Sequence, residues 1–226
     1  MAHTEKGEPK PRPERLTHNN WTPQIDLDVT LATGPEPCAI PFGDVLDRRC
    51  TKRELRPIRL ERLGALLWHA ARTRAKYGGI WEHRAAPSAG GLHPIELVIT
   101  GNSDEQAFRY NPTRHALERL VNIDATLLQA ACADLRTVVP TADGALILLA
   151  ADLGRTAAAY ENAESLVWRD AGCLIAMLQI VGAWLELGCC PLGTLGRNLL
   201  QTIGAESQLI ATGVVIVGEV SAADES

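Results

Sequence analysis

The feature that most restricts this chain is the stretch from Ala163 to Leu187. There Leu166, Trp168, Ala171, Leu174, Ile175, Leu178, Val181 and Leu185 recur at helical steps with little polarity between them. That spacing predicts a helix, and a helix apolar on nearly every side has to lie inside a core or against another subunit. Its longest near-apolar run, Ala171 to Leu185, is broken by Gln179 and falls short of the roughly 20 residues that a bilayer needs.

A chain of 226 residues, 46% hydrophobic and 22% charged, is long enough to bury a core around such a helix. Two continuous or alternating apolar runs, Ile95–Thr100 and Ala145–Ala151, predict strands, as do Phe108–Tyr110 and the β-branched run Ile210–Val217. Helices are predicted from Pro57 to about Thr73, at about 114–120 and 123–134, and around 197–203. Tyr77 to Gly91 reads as loop, and so does the Pro/Gly stretch after Gly188. Strands and helices mix without regular βαβ alternation, so the expected class is α+β. Residues 1–40 show no period and are rich in Pro, Glu, Lys and Arg, which predicts a flexible arm ahead of one domain over 41–222.

The net charge of −5 argues against nucleic acid as a partner, because phosphate binding draws on a positive face. Six cysteines show neither a CxxC pair nor regular spacing, so free thiols are expected rather than a metal knuckle or disulfide scaffold. With no positively charged start followed by an apolar core, the expectation is a cytoplasmic protein away from membranes.

Three segments carry chemistry. Seven Lys or Arg fall within the 15 residues Arg48–Arg62, and Arg48-Arg49-Cys50-Thr51-Lys52 sits just before a helix. Such cations can hold a phosphate, or simply form a solvated face. In Arg84-Ala-Ala-Pro87-Ser88-Ala89-Gly90-Gly91 the glycines leave backbone N–H groups open to a flat ring or an anion, and an ordinary turn fits as well. Pro191-Leu192-Gly193-Thr194 is a second glycine bend after the apolar helix, or a helix stop and nothing more.

In this order the segments resemble the nitroreductase-like flavoprotein family, and most closely its SagB-type branch of azoline-oxidising dehydrogenases. The likeness continues through Leu66-Leu67-Trp68, Phe108-Arg-Tyr110-Asn-Pro112, Asp170-Ala171-Gly172 and Leu185-Glu-Leu-Gly188, over about residues 44–220. The resemblance implies a sandwich with a central, mostly antiparallel sheet flanked by helices. It also implies a homodimer through a long buried helix, with FMN at the subunit interface. Arg48, Arg49, Cys50 and Lys52 would then surround the phosphate and pyrimidine side. Pro87, Ser88, Ala89, Gly90 and Gly91 would line the ring edge, while Pro191, Leu192, Gly193 and Thr194 would cover the ring. The implied activity is hydride transfer through the flavin to or from a small molecule or modified peptide, with NAD(P)H as a candidate partner and Tyr160 as the candidate catalytic residue.

Several positions depart from the family pattern. Cys50 stands for a serine, Glu54 for an aromatic residue, Cys173 for a histidine, and Glu219 follows Gly218 where a cation is usual. Ala159 stands before Tyr160 in place of the lysine of a Lys-Tyr pair, which removes a general base from its expected position. These departures keep a second expectation open, a flavin-poor member acting as a structural or substrate-binding partner.

Overall fold

Ala145–Ala151 is apolar at every position, which leaves a strand no side for water, and in the computed structural model it forms the centre of a sheet covered on both faces. The structure describes residues 7–34, 39–77, 81–101 and 103–220. The strands in chain order are β1 (Lys10–Pro11), β2 (Ile25–Thr30), β3 (Leu55–Arg56), β4 (Ala75–Tyr77), β5 (Trp81–His83) and β6 (Ile95–Thr100). They continue with β7 (Ala107–Asn111), β8 (Ala116–Leu120), β9 (Ala145–Ala151), β10 (Tyr160–Glu161), β11 (Leu187–Pro191) and β12 (Ile210–Val220). The helices are α1 (Phe42–Arg48), α2 (Leu60–Ala70), α3 (Ala125–Arg136), α4 (Leu153–Ala157), α5 (Glu164–Trp184) and α6 (Arg197–Thr202).

Seven strands follow the order β11-β12-β9-β6-β7-β8-β2, β3 joins the end of β12, and all these pairings are antiparallel. The two-residue side-chain period splits β9 between two cores. Ala145, Ile147, Leu149 and Ala151 meet Leu66 and Leu67 of α2 and Leu174 and Leu178 of α5. Leu146, Leu148 and Ala150 meet Leu128 and Leu135 of α3 and Leu199 of α6. The expected α+β sandwich with an antiparallel centre is therefore what this sequence forms.

Helix α5 buries one stripe, Val167, Ala171, Leu174, Leu178 and Val181, at alternating four- and three-residue steps. Its other stripe is open within the chain: Gly172 and Ala176 are exposed, and beyond the adjoining backbone of the helix no described atom lies within 4 Å of a Cβ built on Gly172. The helix is long and apolar enough to cross a membrane by length and composition alone, but here it packs on the sheet.

Four expectations about local structure change. Tyr77–Gly91, expected to be loop, contains strand β5, which pairs antiparallel with β4 and sets Tyr77 opposite Trp81. Residues 114–120 form a turn and then strand β8 from Ala116, not a helix, because the Asn111 side chain accepts N–H bonds from Thr113 and Arg114, and His115 (φ 49°) turns the chain back onto β7. This strand carries Glu118, 1% exposed. Burial alone would raise its carboxyl, but bonds from Asn111, Arg114 and Arg109 win and hold it low. Of the stretch after Gly188, Cys189–Pro191 belong to strand β11, paired Gly188 to Gly218 against β12, where the missing side chains let β3 cross close by, and 192–196 is loop as expected. The segment expected to be a flexible arm is docked over its described part, residues 7–34.

Strand β1 pairs with β10, β2 pairs with β8, and the Arg12 Nε–H donates to the Ala157 carbonyl at 2.9 Å. His18 Nε2 lies 2.8 and 2.9 Å from the two oxygens of buried Asp152. Trp21, 6% exposed, packs into the core beside Leu120 and Val98. Trp21→Ala should therefore cost about 3 kcal/mol in chemical denaturation, the usual loss for a buried tryptophan. A change within about 0.5 kcal/mol would mean that this segment spends its time in solvent.

Candidate functional site

Pro87, Ser88, Ala89, Gly90 and Gly91 make a tight bend between β5 and β6. Gly90 (φ 59°) and Gly91 (φ 63°) take left-handed conformations that only glycine adopts without strain. A Cβ on Gly90 would lie 2.8 Å from the hydroxyl oxygen of Tyr160, so the tyrosine rests directly on the bend. The bend is pinned to α5 by Asp170, 6% exposed. The Ser88 hydroxyl donates to Asp170 Oδ2 at 2.5 Å, and the Ala89 N–H donates to Oδ1 at 3.1 Å. Ser88 Oγ in turn accepts from the His93 N–H at 2.9 Å. Burial lifts the Asp170 carboxyl above its ordinary value, while the bonds from Ser88 and Ala89 pull the other way. His93 is depressed to about 4, chiefly by burial and then by the Arg84 charge. Its Nε2–H donates to the Glu82 carbonyl at 2.9 Å, so it is a neutral structural imidazole at pH 7.

The cationic segment lies elsewhere. Arg48 ends α1, and with Cys50 and Lys52 it lines a cavity of about 450 Å³ whose other wall includes Gln179, Ala183, Glu186 and Cys189. Arg48 makes a 3.7 Å ion pair with Glu186, and both are largely exposed, which makes it a weak tie. Cys50 is exposed. Arg49 is not among the residues lining this cavity; its backbone N–H caps α1 on the Val45 and Leu46 carbonyls. Burial pushes the Cys189 thiol up to about 12, so this wall is chemically quiet. Cys38 lies outside the described residues, and the other five cysteines are free thiols.

The third segment follows β11. Leu192 packs against the α3–α6 core, and its N–H donates to the Val214 carbonyl at 2.8 Å. Gly193 and Thr194 line another cavity of about 430 Å³ with Leu135 and Val138 beside α3, while Pro191 ends the strand.

The structure thus brings Tyr160 to the Pro87–Gly91 bend and gathers Arg48, Cys50 and Lys52, but within one chain it separates these groups. Asp170, which holds the bend, and Gln179 and Ala183, which line the cation cavity, share helix α5. Nine and thirteen residues at 1.5 Å each put about 14–20 Å between them. Sequence reasoning missed the anchoring part played by Asp170, although a lone carboxylate on the buried stripe of an apolar helix was a usable signal.

Asp170→Ala removes the acceptor of two bonds and should cost about 1–3 kcal/mol in urea denaturation. Asp170→Asn should cost much less, because its amide can accept from Ala89 and donate to Ser88. Equal losses in the two variants would show that the bend does not depend on this contact.

A model of the nitroreductase family matches residues 46–219. No curated protein matches the sequence. Among solved structures, a protein from Ralstonia eutropha assigned as a nitroreductase is 20% identical, with a TM-score of 0.61 over 92% of this chain and 98% of its own. One chain of the E. coli microcin synthetase McbBCD complex, with truncated pro-MccB17 bound, is 15% identical with a TM-score of 0.61, covering 83% of this chain and 75% of that one. A Desulfovibrio desulfuricans protein assigned as a nitroreductase, in complex with FMN, is 17% identical with a TM-score of 0.54, over 84% and 91% of the two chains. With some three quarters of its length matched by the family model and its fold shared with these structures, the chain belongs to the nitroreductase family.

Proposed function

We propose that this protein is an FMN-dependent oxidoreductase working as a homodimer, with each FMN between the Arg48–Lys52 cations of one protomer and the Pro87–Gly91 bend of its partner. The observation that carries this reading is the position of the two half-sites along the two halves of α5, a helix whose second stripe is open. Two such helices crossing about a two-fold axis would set each end of one against the other end of its partner. Exposed Gly172 and Ala176 permit close approach, and Phe42 and Leu46 of α1, 64% and 46% exposed, extend the apolar surface beside it.

The residues fit the cofactor. A cavity of about 450 Å³ falls in the size range of small-ligand sites, and its cations suit a phosphate. The side-chain-free Gly90 and Gly91 suit the edge of a flat ring. FMN would supply hydride acceptance and donation. The chain's own contributions are separate from that chemistry. Arg48 and Lys52 hold the phosphate, with Arg49 and Cys50 beside them. Asp170 fixes the bend that orients the ring, Pro191, Leu192, Gly193 and Thr194 exclude water from its far side, and Tyr160 holds a proton at its phenolic oxygen next to Gly90.

The substrate is proposed to be a small molecule or a modified peptide, with NAD(P)H as the candidate electron partner. Kinship with a SagB-type dehydrogenase rests on the motif order, and the microcin synthetase likeness favours a peptide. Against azoline oxidation stands Ala159, a methyl group where a base would sit. A second reading, a flavin-poor structural or substrate-binding partner, draws on Glu219. That carboxylate, 25% exposed, lies 3.4 Å from Arg59 and 3.7 Å from Arg62 and spends two cations of the basic segment.

Titration of the purified protein with FMN, followed by visible absorbance, tests the proposal. Binding should be saturable, and Arg48→Ala/Lys52→Ala should weaken it at least about tenfold by removing charge-assisted contacts to phosphate. A protein that stays colourless after FMN is added supports the flavin-poor reading instead.

A further inference from the structure

The docked N-terminal segment also closes a cavity of about 340 Å³ that shares no lining residue with the two described above. Four arginines, Arg15, Arg84, Arg109 and Arg155, and two glutamates, Glu82 and Glu96, reach its surface. The balance of donors decides what this cavity can hold. Arg155 is committed, with Nε to Asn20 at 2.9 Å, one terminal nitrogen to the His93 carbonyl at 2.8 Å and the other to Glu96 at 2.7 Å. Arg84 puts Nε and one terminal nitrogen on a single oxygen of Glu82, and Arg109 does the same on Glu118.

Both lining carboxylates are thus already matched by an arginine. The remaining terminal nitrogens of Arg84 and Arg109 have no partner among the described residues. Arg15, exposed on the N-terminal segment, has none for any of its donors.

The walls are not all polar. Trp21 and Tyr110, 6% and 2% exposed, and Leu92 give the cavity an apolar side, and the Arg109 guanidinium lies 5.9 Å from the centre of the Trp21 ring. The guanidinium fork of Arg15, with one remaining terminal nitrogen each from Arg84 and Arg109 beside an apolar wall, matches a planar anion on a short hydrocarbon body. We infer that this cavity is a binding site for a small carboxylate, held by Arg15 together with the free donors of Arg84 and Arg109. The segment that supplies Arg15 also pairs through β1 with the strand of Tyr160, so an occupied cavity would tie that segment down over the candidate site. The inference does not depend on FMN.

The test is thermal unfolding of the full chain, titrated with sodium butyrate, N-acetylalanine, sodium phosphate or sodium chloride at one ionic strength. Both carboxylates should raise the melting temperature above the chloride value. Tighter binding of N-acetylalanine would identify a peptide C-terminus as the source of the carboxylate, and tighter binding of butyrate a free acid. Because Arg15 is exposed and unpaired, Arg15→Gln should melt as the parent does without ligand, but bind either carboxylate about tenfold more weakly. Three results would each overturn the inference: no effect beyond chloride, phosphate binding tighter than both carboxylates, or equal affinity in the variant and the parent.

Discussion

Everything distinctive in this molecule follows from how α5 is divided. One stripe of its 21 residues is sealed against the sheet, and the other is left open. Along this helix the residues that hold the bend and those that line the cation cavity lie about 14–20 Å apart, so a single chain presents them as two separate half-sites. The bend at Ser88–Gly91 is tied to its first half through Asp170, and the cationic cavity is built on its second half through Gln179 and Ala183. The open stripe is the surface across which a second copy would unite them.

Buried charge is the second theme, and it is handled the same way throughout. Glu118 receives Arg109, Arg114 and Asn111; Asp152 receives His18 and the Arg155 N–H; Asp104 receives Nε and one terminal nitrogen of Arg136. Leaving one such partner alone in a low-dielectric interior would cost several kcal/mol. These pairs therefore fix the turns and the N-terminal segment as firmly as the apolar core fixes the sheet.

Much of the fold was legible because its core strands are buried on both faces. Ile95–Thr100 and Ala145–Ala151 carry unbroken apolar runs, and their observed limits match the reading. The helical period likewise gave α5 to within three residues. Strand β8 was hidden because Ala116, Leu117 and Leu120 fall at helical steps. What settles it is a turn made by Asn111 and His115, and side-chain bonds of that kind leave little trace in hydrophobic periodicity. Strand β2 was hidden because it is an exposed edge, and β11 because Gly188, Cys189 and Cys190 have little β-propensity. The site motifs were legible as local chemistry. Their separation along α5 was not, since neither periodicity nor motif spacing reports the distance between segments in the fold.

The central claim is that each flavin site takes its cations from one protomer and its glycine bend from the other. It is tested most directly by mixing Arg48→Ala/Lys52→Ala protomers with Gly90→Val protomers under conditions of subunit exchange and measuring bound FMN. At an FMN concentration near the wild-type Kd, each parent alone should hold little FMN. The mixture should recover about a quarter of the wild-type occupancy, because half of the dimers are mixed and each of those has one intact site. A mixture as empty as its parents, although both variants dimerise, would contradict the account.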